Sequence, residues 1–471
     1  MRNRAGAVFT FKIIGGTTES KLQLSKHFQR NRHKQLMIHL GFFLFIYIAG
    51  SLQSIFKHPA LIFCVYQCVF FFNPPERWWG SYIPDISYSF YVACILLALA
   101  ISALLNKKVI TNSFNNSIIK TLLVFFIIFT LVYFNAVFAD NHIAQVEFFA
   151  KSFIIICCGY LLASSIEKLR WYVEAYILGA FYLSFYAYQI GRNSGDRIVG
   201  IGVLDSTDSN SVAASLAPAA ILALHFLFTE KSLIRRVYYA GACVFIANAL
   251  VIINSRGAMI GIGMGGAFYL YQIYKSTHVV KYAKLKAIGL VFVSLAGVIY
   301  VADDSAIERF RSIFEVSAEE DVTKESGATR THFWEAAIEM SKDYPLGLGF
   351  RGFNAYASSY IPEEVNTGKS RSRSVHSSWF EALSEVGYIG LVVLLYLIYL
   401  SIKLSNSAKN YFKSVDDPTS FLLVIALQAG LLSTYVSMSF ISRMRGETFM
   451  WLLMFIAALY EITKRLQKEQ S

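Results

Sequence analysis

From Met37 almost to the end of the chain, runs of about 20 mostly apolar residues alternate with short polar stretches. That is the length a helix needs to cross the hydrocarbon core of a bilayer. Roughly thirteen such runs fall near 37–55, 59–73, 88–105, 118–138, 145–165, 171–190, 210–229, 236–253, 258–274, 284–302, 378–402, 419–440 and 447–463. The run at 59–73 is short enough to be a half-buried or re-entrant segment. The pattern predicts an all-α polytopic integral membrane protein with about 12–13 transmembrane helices. It divides the chain into a basic N-terminal arm (1–36), a transmembrane region (37–302), one long loop (303–377), C-terminal transmembrane helices (378–463) and a tail (464–471).

Within the long loop, THFWEAAIEMSKDYPLGLGF predicts an amphipathic helix with Phe333, Ala336, Ala337 and Met340 on one face, stopped by Pro345 and the glycines beyond. The next polar-to-apolar junction, SVHSSWFEALSEVGYIGLVVLLYLIYL from 374 to 400, has the form of a capping box. Ser378 would cap the new helix and Glu381 would reach back to the amide of the cap. In one continuous span from Ser378, Leu383, Gly387 and Gly390 would stack on one side, and Glu381 and Glu385 on another. A carboxylate facing lipid is expensive, so both glutamates are expected to face protein or water.

Composition removes the soluble alternatives, with 55% hydrophobic, 15% aromatic and only 16% charged residues. The six cysteines all lie inside apolar runs, which predicts neither a disulfide framework nor a zinc site. Basic residues cluster in every second loop: Lys107–Lys108, Lys168 and Arg170, Lys231 with Arg235 and Arg236, Lys275 to Lys286, Lys403 to Lys413, and Lys464, Arg465 and Lys468. Positive loops stay cytoplasmic, which places 303–375 outside. That loop carries 13 acidic and 9 basic residues against a net charge of +12 for the whole chain. The basic balance therefore reflects anchoring at the cytoplasmic face, not a nucleic-acid partner.

Counted backward, thirteen spans put the N-terminus outside, although 1–34 holds eight Lys or Arg. Either 37–73 contains a single crossing, or the arm is not native and translation starts at Met37. No cleavable signal peptide is expected.

His376 is the sharpest chemical candidate. Arg371 and Arg373 precede it and a helix N-terminus follows, together an anion site beside a base that titrates near neutrality. Arg256 stands at the tip of a tight outer turn in VIINSRGAMIGIGMGG, where its planar fork can take phosphate oxygens in pairs. Its other reading is an arginine snorkelling to lipid headgroups. The glycines at 257, 261, 263, 265 and 266 are read as close helix packing, since no strand precedes them as a dinucleotide loop requires. Gly368-Lys369-Ser370 lacks the leading glycine of a phosphate loop, and His332 and His376 have no ligand-spaced partner for a metal.

NSRG at a turn, Arg330 and Trp334 ahead of YPLGLGF, and HSSWFEALSEVGYIGL opening a long helix resemble the bacterial O-antigen ligase and polymerase superfamily, over roughly 190 to 440. FFFNPP and DSTDSNSVAASLAP look more like the branch of O-glycosylation ligases found with exosortase systems. The resemblance implies transfer of a glycan from an undecaprenyl pyrophosphate carrier to an acceptor hydroxyl on a glycan, glycolipid or protein, at the periplasmic face of the inner membrane. It implies no nucleotide sugar, no cofactor and no metal. His376 falls on the family's outer-loop histidine and Arg256 on its turn arginine. Arg330 and Arg351 occupy places where the family tends to keep cations, and Arg373 joins them as a pyrophosphate ligand. Asp208 and Glu385 remain as supporting carboxylates. A polymerase joining lipid-linked repeat units fits the same residues. A glycan or lipid exporter fits less well, since it calls for paired broken helices and midplane charges.

Overall fold

In a computed structural model, the structure describes residues 34–106, 115–277 apart from 196, the positions 282, 284, 285 and 289, and 328–470 apart from 366, 368 and 369. The expected N-terminal arm up to residue 33, most of the 284–302 run, the first part of the long loop and Gly368-Lys369 lie outside them. The helices are α1 (Lys34–Phe56, with a π-helical turn at Phe45–Ala49), α2 (Leu61–Phe72), α3 (Tyr88–Leu105), α4 (Ser117–Leu131) and α5 (Ala139–Leu162). Then follow α6 (Ile166–Ile190), α7 (Ser209–Thr229), α8 (Leu233–Ile253), α9 (Arg256–Lys275) and α10 (Ala328–Asp343). The C-terminal part holds α11 (Gly352–Tyr360), α12 (Ser378–Glu385), α13 (Gly387–Ser414), α14 (Pro418–Met438) and α15 (Glu447–Gln470). The protein is an all-α polytopic membrane protein. Eight of the described helices, α1, α3, α4, α5, α7, α8, α13 and α14, are long and apolar enough to cross a membrane.

Two ends of the bundle differ in character. At one end α10, α11 and α12 pack together as a cap around Phe333, Ala336, Ala337, Met340, Leu348, Phe353 and Val375. The four residues expected on the inner face of the amphipathic helix are thus all buried. At the other end lie Arg170 and Arg235 with their carboxylate partners Glu174 and Glu230, Arg236, which donates to the Glu230 carbonyl at 2.7 Å, Lys168, which donates to the Ser164 hydroxyl at 2.7 Å, and Arg465, which donates to the Ser164 carbonyl at 2.9 Å. Among the described residues, the basic loops at 168–170 and 231–236 and the tail arginine at 465 therefore gather at the end opposite the cap.

The start of α1 lies at the cap end, where His39 Nε2 donates to Gln189 Oε1 at 2.6 Å and the ring sits among Trp78, Trp79 and Tyr186. Between α1 and α2, His58 meets Trp171 near the basic end. Two antiparallel helices thus occupy 37–73, and of these α1 alone is among the described helices long and apolar enough to cross a membrane. At 12 residues α2 spans only about 18 Å, yet it is buried on nearly every side.

Buried from Glu447 to Thr463 at every position but Tyr460, α15 runs through the interior of the bundle. Its Trp451 has no exposed surface and lies edge-on to Phe70 and Tyr176, with centroids at 4.8 and 5.6 Å. A Cβ on Gly261 would stand 2.6 Å from the Ser433 carbonyl, and one on Gly265 2.6 Å from that of Ala429. Both glycines let α9 lie directly on the backbone of α14, as expected, whereas Gly263 and Gly266, expected to pack in the same way, lie on the open side of the helix with nothing among the described residues within 4 Å of an added Cβ.

The junction at 378–402 departs from expectation. The helix is not continuous: α12 ends at Glu385 after eight residues and α13 begins at Gly387, whose φ is +79°. The cause is the PLGLGF segment, which docks against the break. Leu348 and Gly349 donate to the carbonyls of Ser384 and Glu385 at 3.0 and 2.9 Å, and Tyr388 donates to Pro345 at 3.1 Å. These bonds replace helical partners that the break removes. Gly347 has φ +83°, and a Cβ there would stand 2.6 Å from the Glu385 carbonyl oxygen, so only glycine allows this approach.

Candidate active site

The turn between α14 and α15, residues 439–446, organises the cap end. A Cβ on Gly257, next to Arg256, would press on Phe440, and the Arg330 guanidinium donates to the Phe440 carbonyl at 3.3 Å. On the other side, Ser374 and Ser442 share a 3.0 Å hydroxyl bond. Ser378 donates to the Ile441 carbonyl at 2.7 Å and accepts from the Arg443 amide at 2.8 Å. Trp379 donates to Ser439 at 2.9 Å. Arg256, Arg330 and the segment carrying His376, separated by up to 120 residues in the chain, are therefore gathered around residues 440–443.

Each candidate takes its position from a local constraint. Arg256 is the first residue of α9, half-buried, after a turn held by Asn254 in the left-handed region (φ 59°) and by Arg197, which donates to the Asn254 carbonyl at 3.1 Å. His376 is half-buried just before α12 and also left-handed, at φ 50°. That conformation costs a non-glycine residue about 1–2 kcal/mol, and such residues collect where a side chain must be aimed. Arg330 and His376 both flank the turn, whereas Arg351 and Glu385 lie beyond α12. Arg351 is exposed, left-handed at φ 61°, and its amide donates to Glu385 Oε1 at 2.8 Å. Arg373 stacks on Phe333 at 5.0 Å and donates to the Thr367 carbonyl, within the cap itself. Asp208 is exposed at the N-terminus of α7, where its carboxylate accepts from the Ser211 amide and hydroxyl at 2.9 and 3.0 Å. It serves there as a helix cap.

The capping box at 378–381 does not form. Ser377 is the N-cap residue of α12 and no side chain caps it. Ser378 is instead bonded to the 441–443 turn, and Glu381 pairs with Arg445.

Sequence reasoning passed over this turn, ISRMRGET, which places two arginines between apolar spans on the same side as the long loop. Intramembrane or membrane-edge charges are the signal that could have found it. Arg445 is 9% exposed, its Nη2 lies 3.1 Å from Glu381 and 3.6 Å from Glu385, and its guanidinium is held between the rings of Phe129 and Phe350, 4.8 Å from each. Two buried carboxylates share this one guanidinium. Burial, and then Glu381 alongside, push the Glu385 carboxyl above its ordinary range, while Arg445 opposes the rise. Arg443 pairs with Asp205 at 2.9 Å, and Asp205 accepts from the Glu447 amide at 2.9 Å, capping α15 from a distant loop. The Glu447 carboxylate accepts from Tyr66 at 2.8 Å and Ser152 at 3.0 Å.

Residues 241–395 match the family model described as O-Antigen ligase. This segment is similar to the O-antigen ligase family. It runs from the middle of α8 into α13 and contains Arg256, Arg330, Arg351, Arg373, His376 and Glu385. The ligase segment leaves out the 439–446 turn, Asp205 and Asp208. No curated protein matched the chain. The match supports a membrane function of the O-antigen ligase or polymerase type, a glycosyltransferase activity in general, with a lipid-linked glycan and an acceptor as partners.

Proposed function

We propose that the protein transfers a glycan from an undecaprenyl pyrophosphate carrier to an acceptor hydroxyl at the periplasmic face of the inner membrane. The observation that carries this reading is the gathering of Arg256, Arg330 and the His376 segment around one turn within a chain that holds a ligase-family segment. The gathering of basic loops at the far end supports a periplasmic cap, because positive loops remain in the cytoplasm.

The chemistry follows from these groups. His376 takes the proton of the acceptor hydroxyl as its oxygen attacks the anomeric carbon. The bond from that carbon to the pyrophosphate oxygen breaks, and its electron pair leaves with the carrier. Arg256 and Arg330 meet the charge that grows on the pyrophosphate, and direct displacement inverts the sugar carbon. Arg351 and Arg373 supply further positive charge along the cap.

Deleting the gene tests this reading. Loss of a ligase leaves chains that still lengthen and accumulate on the carrier, released by mild acid because the linkage is a glycosyl pyrophosphate. Acceptors carrying a single repeat unit would indicate a polymerase instead. An unchanged profile of lipid-linked and acceptor-linked glycan would refute both.

A further inference from the structure

The FFFNPP stretch takes no part in the mechanism above, yet it builds a cavity of about 300 Å³ at the cap end, between the end of α2 and the start of α3. Asn73, left-handed at φ 40°, turns the chain out of α2 into two prolines. Arg77, 4% exposed, then ties the wall in place: it donates to the carbonyls of Phe71 and Phe72 at 2.9 Å and to that of Gly202 at 2.7 Å. The Leu204 amide donates to the Phe70 carbonyl at 3.2 Å. Leu204 lines the cavity, and its neighbour Asp205 holds Arg443 of the organising turn. Cavity and candidate active site thus share one fixed loop.

The lining has a definite chemistry. Pro74 and Pro75 give flat apolar faces, beside Tyr88. The side chains of Asp85, Ser87 and Ser89 form no hydrogen bond to the described residues, and the 93%-buried Asn73 uses only its amide nitrogen, donating to Gly202 at 3.4 Å. The cavity therefore offers free acceptors and hydroxyls and has no lysine or arginine among its described lining residues. A phosphate or pyrophosphate would find no counter-charge and would meet Asp85. An uncharged ring with many hydroxyls would satisfy the acceptors and lay its C–H face on the prolines. The volume stands at the lower end of ligand cavities, about 300–1,000 Å³, which suits a sugar ring or two and excludes a long chain. We infer that this cavity is a subsite for a neutral sugar ring of one of the two substrates. The inference rests on the glycosyl-transfer reading.

Two measurements on the full chain in lipid nanodiscs test it. The first is calorimetric binding of two probes: the glycan released by mild acid from the carrier of deletion cells, and the acceptor fraction extracted from the same cells. The second is transfer between the intact lipid-linked donor and that acceptor. Asp85→Asn, which removes a charged hydrogen bond, is expected to weaken binding of one probe about tenfold or more, Ser89→Trp, which fills the cavity, is expected to weaken binding of the same probe, and both are expected to raise KM for the same substrate. Weakening confined to the released glycan assigns the ring to the donor; weakening confined to the acceptor fraction assigns it there. Failure of the wild-type chain to bind either probe, or equal binding by both variants, overturns the inference. A chain that binds a probe in this way but transfers nothing leaves the subsite standing and overturns the proposed function instead.

Discussion

Replacing Arg445 by Met removes the one guanidinium between Glu381 and Glu385 while keeping a long apolar stem between Phe129 and Phe350. Removing one partner of a buried ion pair costs about 3–5 kcal/mol, because the other charge is left without compensation. Here the lower part of that range applies. Burial raises the carboxyls of both Glu385 and Glu381, so without Arg445 a proton taken up by the pair offsets part of the stranded charge. Loss of the two ring contacts adds up to about 2 kcal/mol, of which the Met side chain restores a part through its own contacts. A destabilisation of about 3 kcal/mol or somewhat more is therefore expected. It would be read by equilibrium unfolding in mixed detergent micelles, followed by tryptophan fluorescence. The decisive measurement is the rescue: adding Glu381→Gln and Glu385→Gln to Arg445→Met neutralises the cluster, and most of the loss should return. An Arg445→Met protein within about 1 kcal/mol of wild type, or a triple variant no better than the single one, would refute the assignment of the cost to stranded charge.

Three further outcomes follow from the same contacts. The raised Glu385 carboxyl binds its proton more tightly in the folded than in the unfolded chain, so its contribution is present at and below the ordinary carboxylate pKa of 4.5 and is lost as pH rises through the raised value; Glu385→Gln should flatten the pH dependence of stability on that alkaline side, and an unchanged slope would remove Glu385 as its source. His376→Ala and Arg256→Ala should each abolish glycan transfer at normal membrane levels, and Arg256→Lys should recover little, since an ammonium cannot reproduce a two-pronged phosphate contact; wild-type transfer by either alanine variant would sink the roles given to them. Glu363→Cys, exposed on the cap, should react with an impermeant thiol reagent in intact cells and Gln467→Cys, exposed at the other end, should not; the reverse labelling would invert the placement of the site.

Much of this architecture is legible along the chain. In a bilayer every backbone polar group must be satisfied within its own segment, so each long apolar run has to be a helix wherever it packs. For that reason the spans at 88–105, 210–229, 236–253 and 419–440 appear in the structure close to their expected bounds. The buried face of α10 follows from local spacing and so does the close packing at Gly257, Gly261 and Gly265 of α9, though not at Gly263 and Gly266, and the cationic turn at Arg256 and the polar segment at His376 stand out as charge beside apolar sequence. What the sequence could not disclose is which distant groups compete for a local partner. Ser378 and Glu381 have the spacing of a capping box, but a serine bonded to residues 441 and 443 and a glutamate facing Arg445 gain partners from across the fold, and the local motif loses. The break at Val386 is decided in the same way, by carbonyls of α12 that bond to the PLGLGF segment some 35 residues earlier instead of to the next turn of helix. Asp208 and Asp205, three residues apart, are equivalent by sequence. Only the packing of α15 against the 201–208 loop makes one a solvent-exposed cap and the other the buried partner of Arg443. Periodicity records what a segment does with its own neighbours, and the pairing of buried charge is settled by whichever opposite charge the folded chain brings within reach.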